Sequence, residues 1–233
     1  MKKIRTGINV LLLSFAVFSP SVFSAGAWIE ARDGYETAYN RHELAFRGGY
    51  DFENTAGIML TNAYNLEAFE QLKHSWNELE GWYPLVSYQA LTIYGGALVN
   101  ENTDGSGGAG YFDFKYTVEK DLSVTLRARY NHRNYDSENN YSRKKPADTL
   151  ESHLGISYII NKDWNYYLEP AYFKHLNDFH AGNGKGHHVE VDNVLTYTGF
   201  DHFQPYVSLA YMDRSIAENN ENYRIRLGVR YNF

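Results

Sequence analysis

Arg224, Arg226 and Arg230 are two and four residues apart near the end of the chain, and Arg127 and Arg129 are two apart in its middle. In an extended chain, side chains at i, i+2 and i+4 share one face, so each set projects to one side. Arg47 alternates with Phe46 and Gly48, and Arg32 is in step with Trp28 and Glu30. A guanidinium is always charged, planar and rich in donors, and it grips a carboxylate through two parallel hydrogen bonds. The chemistry implied by these seven residues is recognition of anions, not bond breaking. Glu30, Glu43, Asp51, Glu78, Glu80, Asp113, Glu169, Glu190 and Asp192 fall on the same parity as the arginines. They offer a second use for them, as ion pairs that stiffen a wall. The sequence leaves both uses open.

Other reactive constellations are weak. The chain has no cysteine, which removes thiolate nucleophiles and cysteine metal sites. No serine and histidine fall in a recognisable nucleophile motif. His175, Asp178, His180, His187 and His188 gather around one polar stretch. A metal needs ligands converging on a point, and the stretch reads instead as a solvated loop. Gly105 to Gly110 spans a loop and a strand start and reads as a flexible connection and not a phosphate site, because no helix follows to hold an anion at its N-terminus. The expectation is no catalytic residue, no metal and no cofactor.

The elements that must carry the arginines are strands. Tyr223, Ile225, Leu227, Val229, Tyr231 and Phe233 alternate with Arg224, Arg226, Gly228, Arg230 and Asn232. Leu122 to Asn131 and Leu44 to Phe52 repeat the pattern, as does Phe203 to Tyr211. This period of two marks strands whose faces meet different surroundings. Twelve strands are predicted, near 26–36, 40–52, 56–66, 73–84, 90–100, 107–118, 122–134, 149–160, 164–176, 187–199, 203–214 and 222–233. Connections after even-numbered strands are tight, as in Glu53-Asn54-Thr55 and Asn161-Lys162-Asp163, with 85–89 slightly longer. The longest and most polar, 135–148 and 177–186, follow odd-numbered ones. Asn62 and Asn77 fit the alternation badly, and Pro170 and Pro205 inside strands are expected near a rim, where bulges occur.

Lys2, Lys3 and Arg5, the apolar run Val10 to Phe18, and the small residues Val22 and Ser24 read as a secretory signal peptide cut after Ser24. The run is too short for a spanning helix. Its removal leaves a chain three charges more acidic than the formal −6, a poor partner for nucleic acid. Tyr alone numbers 21, aromatics are 16% and charged residues 21%. That balance suits side chains with an apolar ring and a wet tip. After residue 24 no apolar run approaches the length of a membrane helix, but alternating strands escape an average over hydropathy.

Together these features predict an all-β protein, a twelve-stranded antiparallel transmembrane barrel over residues 25–233 in the bacterial outer membrane. Guanidinium groups in hydrocarbon would cost several kcal/mol each, so the apolar face meets lipid and the arginines face the lumen. Closure joins the last strand to the first. That places Arg32, Arg47, Arg224, Arg226 and Arg230 along one track, with Arg127 and Arg129 opposite. Tyr50, Phe52, Tyr83, Tyr116, Trp164, Tyr197, Phe203 and Tyr231 fit an interfacial girdle. The expected function is passive diffusion of small hydrophilic solutes, including anionic oligosaccharides, through an arginine-lined pore. A barrel phospholipase would need Ser and His together on the lipid face at the outer rim, and the apolar sets contain no such pair. A structural or adhesive barrel would have its lumen plugged by paired charges.

The stretches GAWIEARDGYE, AGIMLTNAYN, ELEGWYPL, RARYNHRNY, LEPAYFKHLNDF, GKGHH and YRIRLGVRYNF, in this order and spacing, resemble the oligogalacturonate-specific porin family over essentially the whole chain after the signal. The resemblance implies a monomeric twelve-stranded barrel that passes small solutes passively. It also implies two facing arginine rows, matched here by Arg127, Arg129, Arg224, Arg226 and Arg230. The terminal Phe233 matches the aromatic signal that such barrels present to the outer-membrane assembly machinery.

Overall fold

The structure, a computed structural model, describes residues 25–67, 71–136, 147–176, 184–213 and 221–233. The signal segment and most of the two long connections lie outside the described residues. Twelve strands form: β1 (Gly26–Glu36), β2 (Arg41–Asp51), β3 (Gly57–Glu67), β4 (Gln71–Tyr88), β5 (Leu91–Asn102), β6 (Gly105–Glu119), β7 (Leu122–Tyr135), β8 (Ala147–Asn161), β9 (Trp164–His175), β10 (His187–Tyr197), β11 (Phe203–Met212) and β12 (Asn222–Asn232). Each pairs antiparallel with its sequence neighbours, and β12 pairs with β1 from Trp28↔Asn232 to Glu36↔Arg224, which closes the barrel. Closure satisfies every strand edge, the condition for a sheet in hydrocarbon. No helix among the described residues could cross a membrane. Strands of 10 to 18 residues can.

Alternation decides which face is which. Leu227, Ile225 and Tyr223 are exposed on the outside of β12, while Arg224 and Arg226 between them are largely covered. Burying such side chains on the inside leaves an outer surface of Leu, Val, Ile and aromatics with lipid as its partner. Tyr50 with Phe52, Phe203 with Tyr231, and Tyr231 with Phe233 make edge contacts near 5 Å at the rim that holds both Ala25 and Phe233. This is the aromatic girdle of a membrane interface. Connections at that rim are short, with two residues at 89–90, 120–121 and 162–163. The longest intervals between strands, 136–146 and 176–186, separate β7 from β8 and β9 from β10, whose facing ends are at the other rim.

Four expectations change, the first being Gly105 to Gly110, which lies within β6 and not in a connection. The connection predicted at 85–89 is only Gln89-Ala90, because β4 continues to Tyr88 past a bulge between Pro84 and Val86. The bulge absorbs Leu85, which follows Pro84 and has no partner on β5. Pro170, expected near a rim, sits in mid-strand. There the β8–β9 register passes from His153↔Ala171 to Ile156↔Leu168, so the ladder skips the residue that has no N–H to give. Asn62 and Asn77 lie directly opposite each other on the outer face, joined by a 2.8 Å hydrogen bond, and Asn77 donates on to Glu101 at 3.2 Å. The misfit in the alternation is a polar row that satisfies itself.

A further regularity shapes the lumen. Four aromatic side chains on the inner face lie across a glycine directly opposite on the next strand: Trp28 on Gly49, Trp82 on Gly57, Tyr111 on Gly96 and Tyr206 on Gly228. A Cβ built on each glycine would meet the ring at 2.1–2.3 Å. The missing side chain is therefore what lets the ring lie against the wall, the device that stabilises glycine in a curved sheet.

Candidate functional site

All seven candidate arginines point inward, and each has a carboxylate oxygen within 4 Å. Arg32 and Arg47 share Glu30 at 3.9 and 3.6 Å. Arg224 approaches Glu36 and Asp192, both at 3.9 Å, and Arg226 approaches Asp192 at 3.4 Å. Arg230 donates to Asp51 at 3.0 Å. On the opposite wall Arg127 grips Asp113 through Nε and a terminal nitrogen at 2.7 and 2.8 Å, and Arg129 lies 3.5 Å from Glu151. The bidentate pair is the strongest of these contacts by geometry.

Two cavities occupy the lumen between these walls. The first, about 490 Å³, is lined by Arg32, Arg47, Arg226 and Arg230 against only two carboxylates, Glu30 and Asp192. Asn165, Thr196, Thr198, Gln204, Tyr206 and Ser208 complete it with uncharged hydrogen-bonding groups. Its two acids are already engaged, since Tyr206 donates to Glu30 at 2.8 Å and Ser208 to Asp192 at 2.6 Å. The result is an excess of positive charge surrounded by groups that suit hydroxyls. The second cavity, about 420 Å³, shares Glu30, Arg47 and Arg230 with the first and reaches Arg127 on the far wall. Its cations, Arg47, Lys115, Arg127 and Arg230, are matched by Glu30, Asp51, Glu80 and Asp113.

The structure thus brings Arg32, Arg47, Arg226 and Arg230 together on β12, β1 and β2, and places Arg127 across from Arg230. Arg129 and Arg224 line neither cavity. Arg47, Arg127 and Arg230 are the most open of the seven, with side chains 24–31% exposed; Arg32 is nearly covered at 7%.

Sequence reasoning passed over Glu36 and Glu151, although both lie in step with inward residues of their strands. It also passed over Arg133, which donates to Asn100 at 3.1 Å, to Asn102, and to the Gly105 carbonyl at 3.2 Å. The uncharged lining residues gave no signal, because Thr, Ser and Gln on one face of a strand are common in any sheet.

The histidine group divides. His175 and His188 face inward, 2.8 Å apart and stacked, with His188 lying flat against Phe173. His187 is on the other face, beside Tyr172. Asp178 and His180 lie outside the described residues. Among the described residues no group of three or more side chains could hold a metal ion.

Comparison with known proteins completes the description. A family model described as oligogalacturonate-specific porin protein (KdgM) matches residues 18–233. The N-acetylneuraminic acid outer membrane channel protein NanC of Escherichia coli K12 is 24% identical over 227 residues, covering 95% of this chain and 94% of that one. The solved NanC porin superposes with a TM-score of 0.77 at 19% identity, covering 87% of this chain and 98% of that one. A KdgM porin structure gives 0.65 at 21% identity, covering 88% and 99%.

Proposed function

The chain belongs to the oligogalacturonate-specific porin family and is an outer-membrane β-barrel channel, and from this premise we propose that Arg32, Arg47, Arg226 and Arg230 form the contact site for anionic saccharides among the small hydrophilic solutes it passes. The observation that carries the reading is the first cavity, where four guanidinium groups face two carboxylates already held by Tyr206 and Ser208. A sugar acid arriving there finds surplus positive charge for its carboxylate and side-chain amides and hydroxyls for its ring. The solutes named for two relatives, N-acetylneuraminic acid and oligogalacturonate, are sugar acids. Charged side chains lining a pore set its ion preference. Arg127, across the lumen, supplies a second contact, while Arg129 and Arg224 add to the field of the walls.

In this reading the protein is a passive channel and not an enzyme, and it works as a monomer. The exported chain loses residues 1–24, and Phe233, exposed at the rim, is presented to the assembly machinery. Recording single channels from purified protein in a planar bilayer tests the proposal. A steady conductance with a reversal potential on the anion side supports it. Absence of conductance would mean a plugged structural barrel, and a cation preference would remove the arginine site.

A further inference from the structure

Two matched assemblies stand on opposite walls of the barrel. On one, the Trp28 ring lies across Gly49 and the Arg230 guanidinium lies 4.0 Å over the ring. On the other, the Tyr111 ring lies across Gly96 and Arg127 lies 4.0 Å over it. Each arginine is held from the side, Arg230 by Asp51 and Arg127 by Asp113. Both rings are buried, at 5% and 4% exposure, and both arginines face the same 420 Å³ cavity. The rings stand on β1 and β6 and the arginines on β12 and β7, five strands apart of twelve in each case, so this cavity reaches across the lumen.

We infer that Gly49 and Gly96 set the calibre of the channel, and with it the size of solute admitted. Each layer rests on the one beneath it: backbone, ring, guanidinium. A side chain at either glycine has its Cβ 2.3 or 2.1 Å from ring atoms, where ordinary contact begins near 3.4 Å. The obstruction on the wall is a neighbouring strand, which cannot retreat without breaking the ladder. The ring therefore moves toward the lumen and carries its arginine with it. With the two assemblies facing each other, displacements from both sides add across one cavity. The chemistry selected is bulk, not charge, because this cavity carries equal numbers of cations and carboxylates. The inference rests on the channel reading above.

The test uses the full barrel with Gly49→Ala, Gly96→Ala and the double substitution. Gly110→Ala serves as control, since a Cβ there meets nothing within 4 Å. Folding is checked by the faster migration of unheated barrel on a gel. Unit conductance is then read in bilayers, and liposome swelling is read with neutral mono-, di- and trisaccharides. The expected result is a unit conductance lowered by up to about twofold, with loss of the largest sugar first, the double variant lowest and Gly110→Ala unchanged. Removing the ring, as Trp28→Ala or Tyr111→Ala with the glycines intact, lets the arginine settle against the wall and raises conductance. This arm serves if the alanine variants do not assemble. Folded alanine variants that conduct and admit sugars as the parent does would overturn the inference, as would ring removal without a gain. A parent barrel that does not conduct at all would instead sink the channel reading.

Discussion

The Arg230 guanidinium lies 4.0 Å above the Trp28 ring and 3.0 Å from the Asp51 carboxylate, so one side chain of the last strand is bound to both of the first two. The seam where the barrel closes is the contact of longest sequence separation among the described residues. A partly desolvated cation–π contact contributes about 0.5–2 kcal/mol, and the ion pair adds to it. The residue offered as a solute contact therefore also helps to hold the wall closed. The two uses of arginine that the sequence left open coexist in one side chain.

Removal of charge from either wall of the lumen should be readable as selectivity. Arg226→Ala with Arg230→Ala removes two cations from the first cavity and leaves Asp192 and Asp51 with fewer partners. Arg127→Ala with Arg129→Ala does the same on the facing wall. Both pairs should move the reversal potential in a salt gradient toward cations, the first pair by more. Unchanged potentials in both would remove the arginine proposal while leaving the channel intact.

Neutralising an acid should do the opposite. Glu30 stands between Arg32 and Arg47 and accepts from Tyr206. Glu30→Gln keeps the shape and the acceptor oxygen but frees two guanidinium groups from their shared counter-charge. Anion preference should rise, and Asp192→Asn should add to it. The gain should shrink in 1 M salt, where the screening length falls to about 3 Å. A shift toward cations would show that the arginines do not govern the field in the pore.

The order, pairing and closure of the strands were legible because a barrel in lipid makes parity unforgiving. Ile225 and Arg226 must meet different solvents, and one residue of slip would exchange them. The inward direction of Arg226 followed from that alone. What Arg226 touches did not follow, because Asp192 lies on β10, two strands away, and reaches it only through the tilt and curvature of the wall. The glycine and ring pairs were hidden for a similar reason. Gly49 is one of two adjacent glycines in its strand, and only the cross-strand register shows Trp28 opposite it. Pro170 misled because the sequence marks a lost donor without showing that the β8–β9 ladder is interrupted beside it at unchanged register.

The C-terminal residue makes its own test. Phe233 donates its backbone N–H to the Ala27 carbonyl at 3.0 Å, while its ring stays exposed beyond the contact with Tyr231. A ring so placed adds little to the folded barrel and is free for recognition. Phe233→Ala should lower the amount of barrel assembled in cells, yet leave refolding into lipid vesicles at the parent level. Equal losses in both settings would assign the ring to stability.

Adjacent residues 125 and 126 give the sharpest test of the two-solvent wall. Leu126 is exposed on the outer face, with Phe114 and Leu154 as its cross-strand neighbours, all three apolar. Thr125 lines the second cavity. Leu126→Arg places a cation among apolar side chains in hydrocarbon and should destabilise the barrel by about 2–4 kcal/mol toward the middle of the membrane. Thr125→Arg places the same cation in water, across from Lys115 in a cavity that also holds Asp113, and should cost no more than about 1 kcal/mol while raising anion preference. Denaturant unfolding from vesicles measures the first and reversal potential the second. Equal costs at the two positions would mean that the two faces do not meet different solvents, and the lumen assigned to the arginines would have no inside.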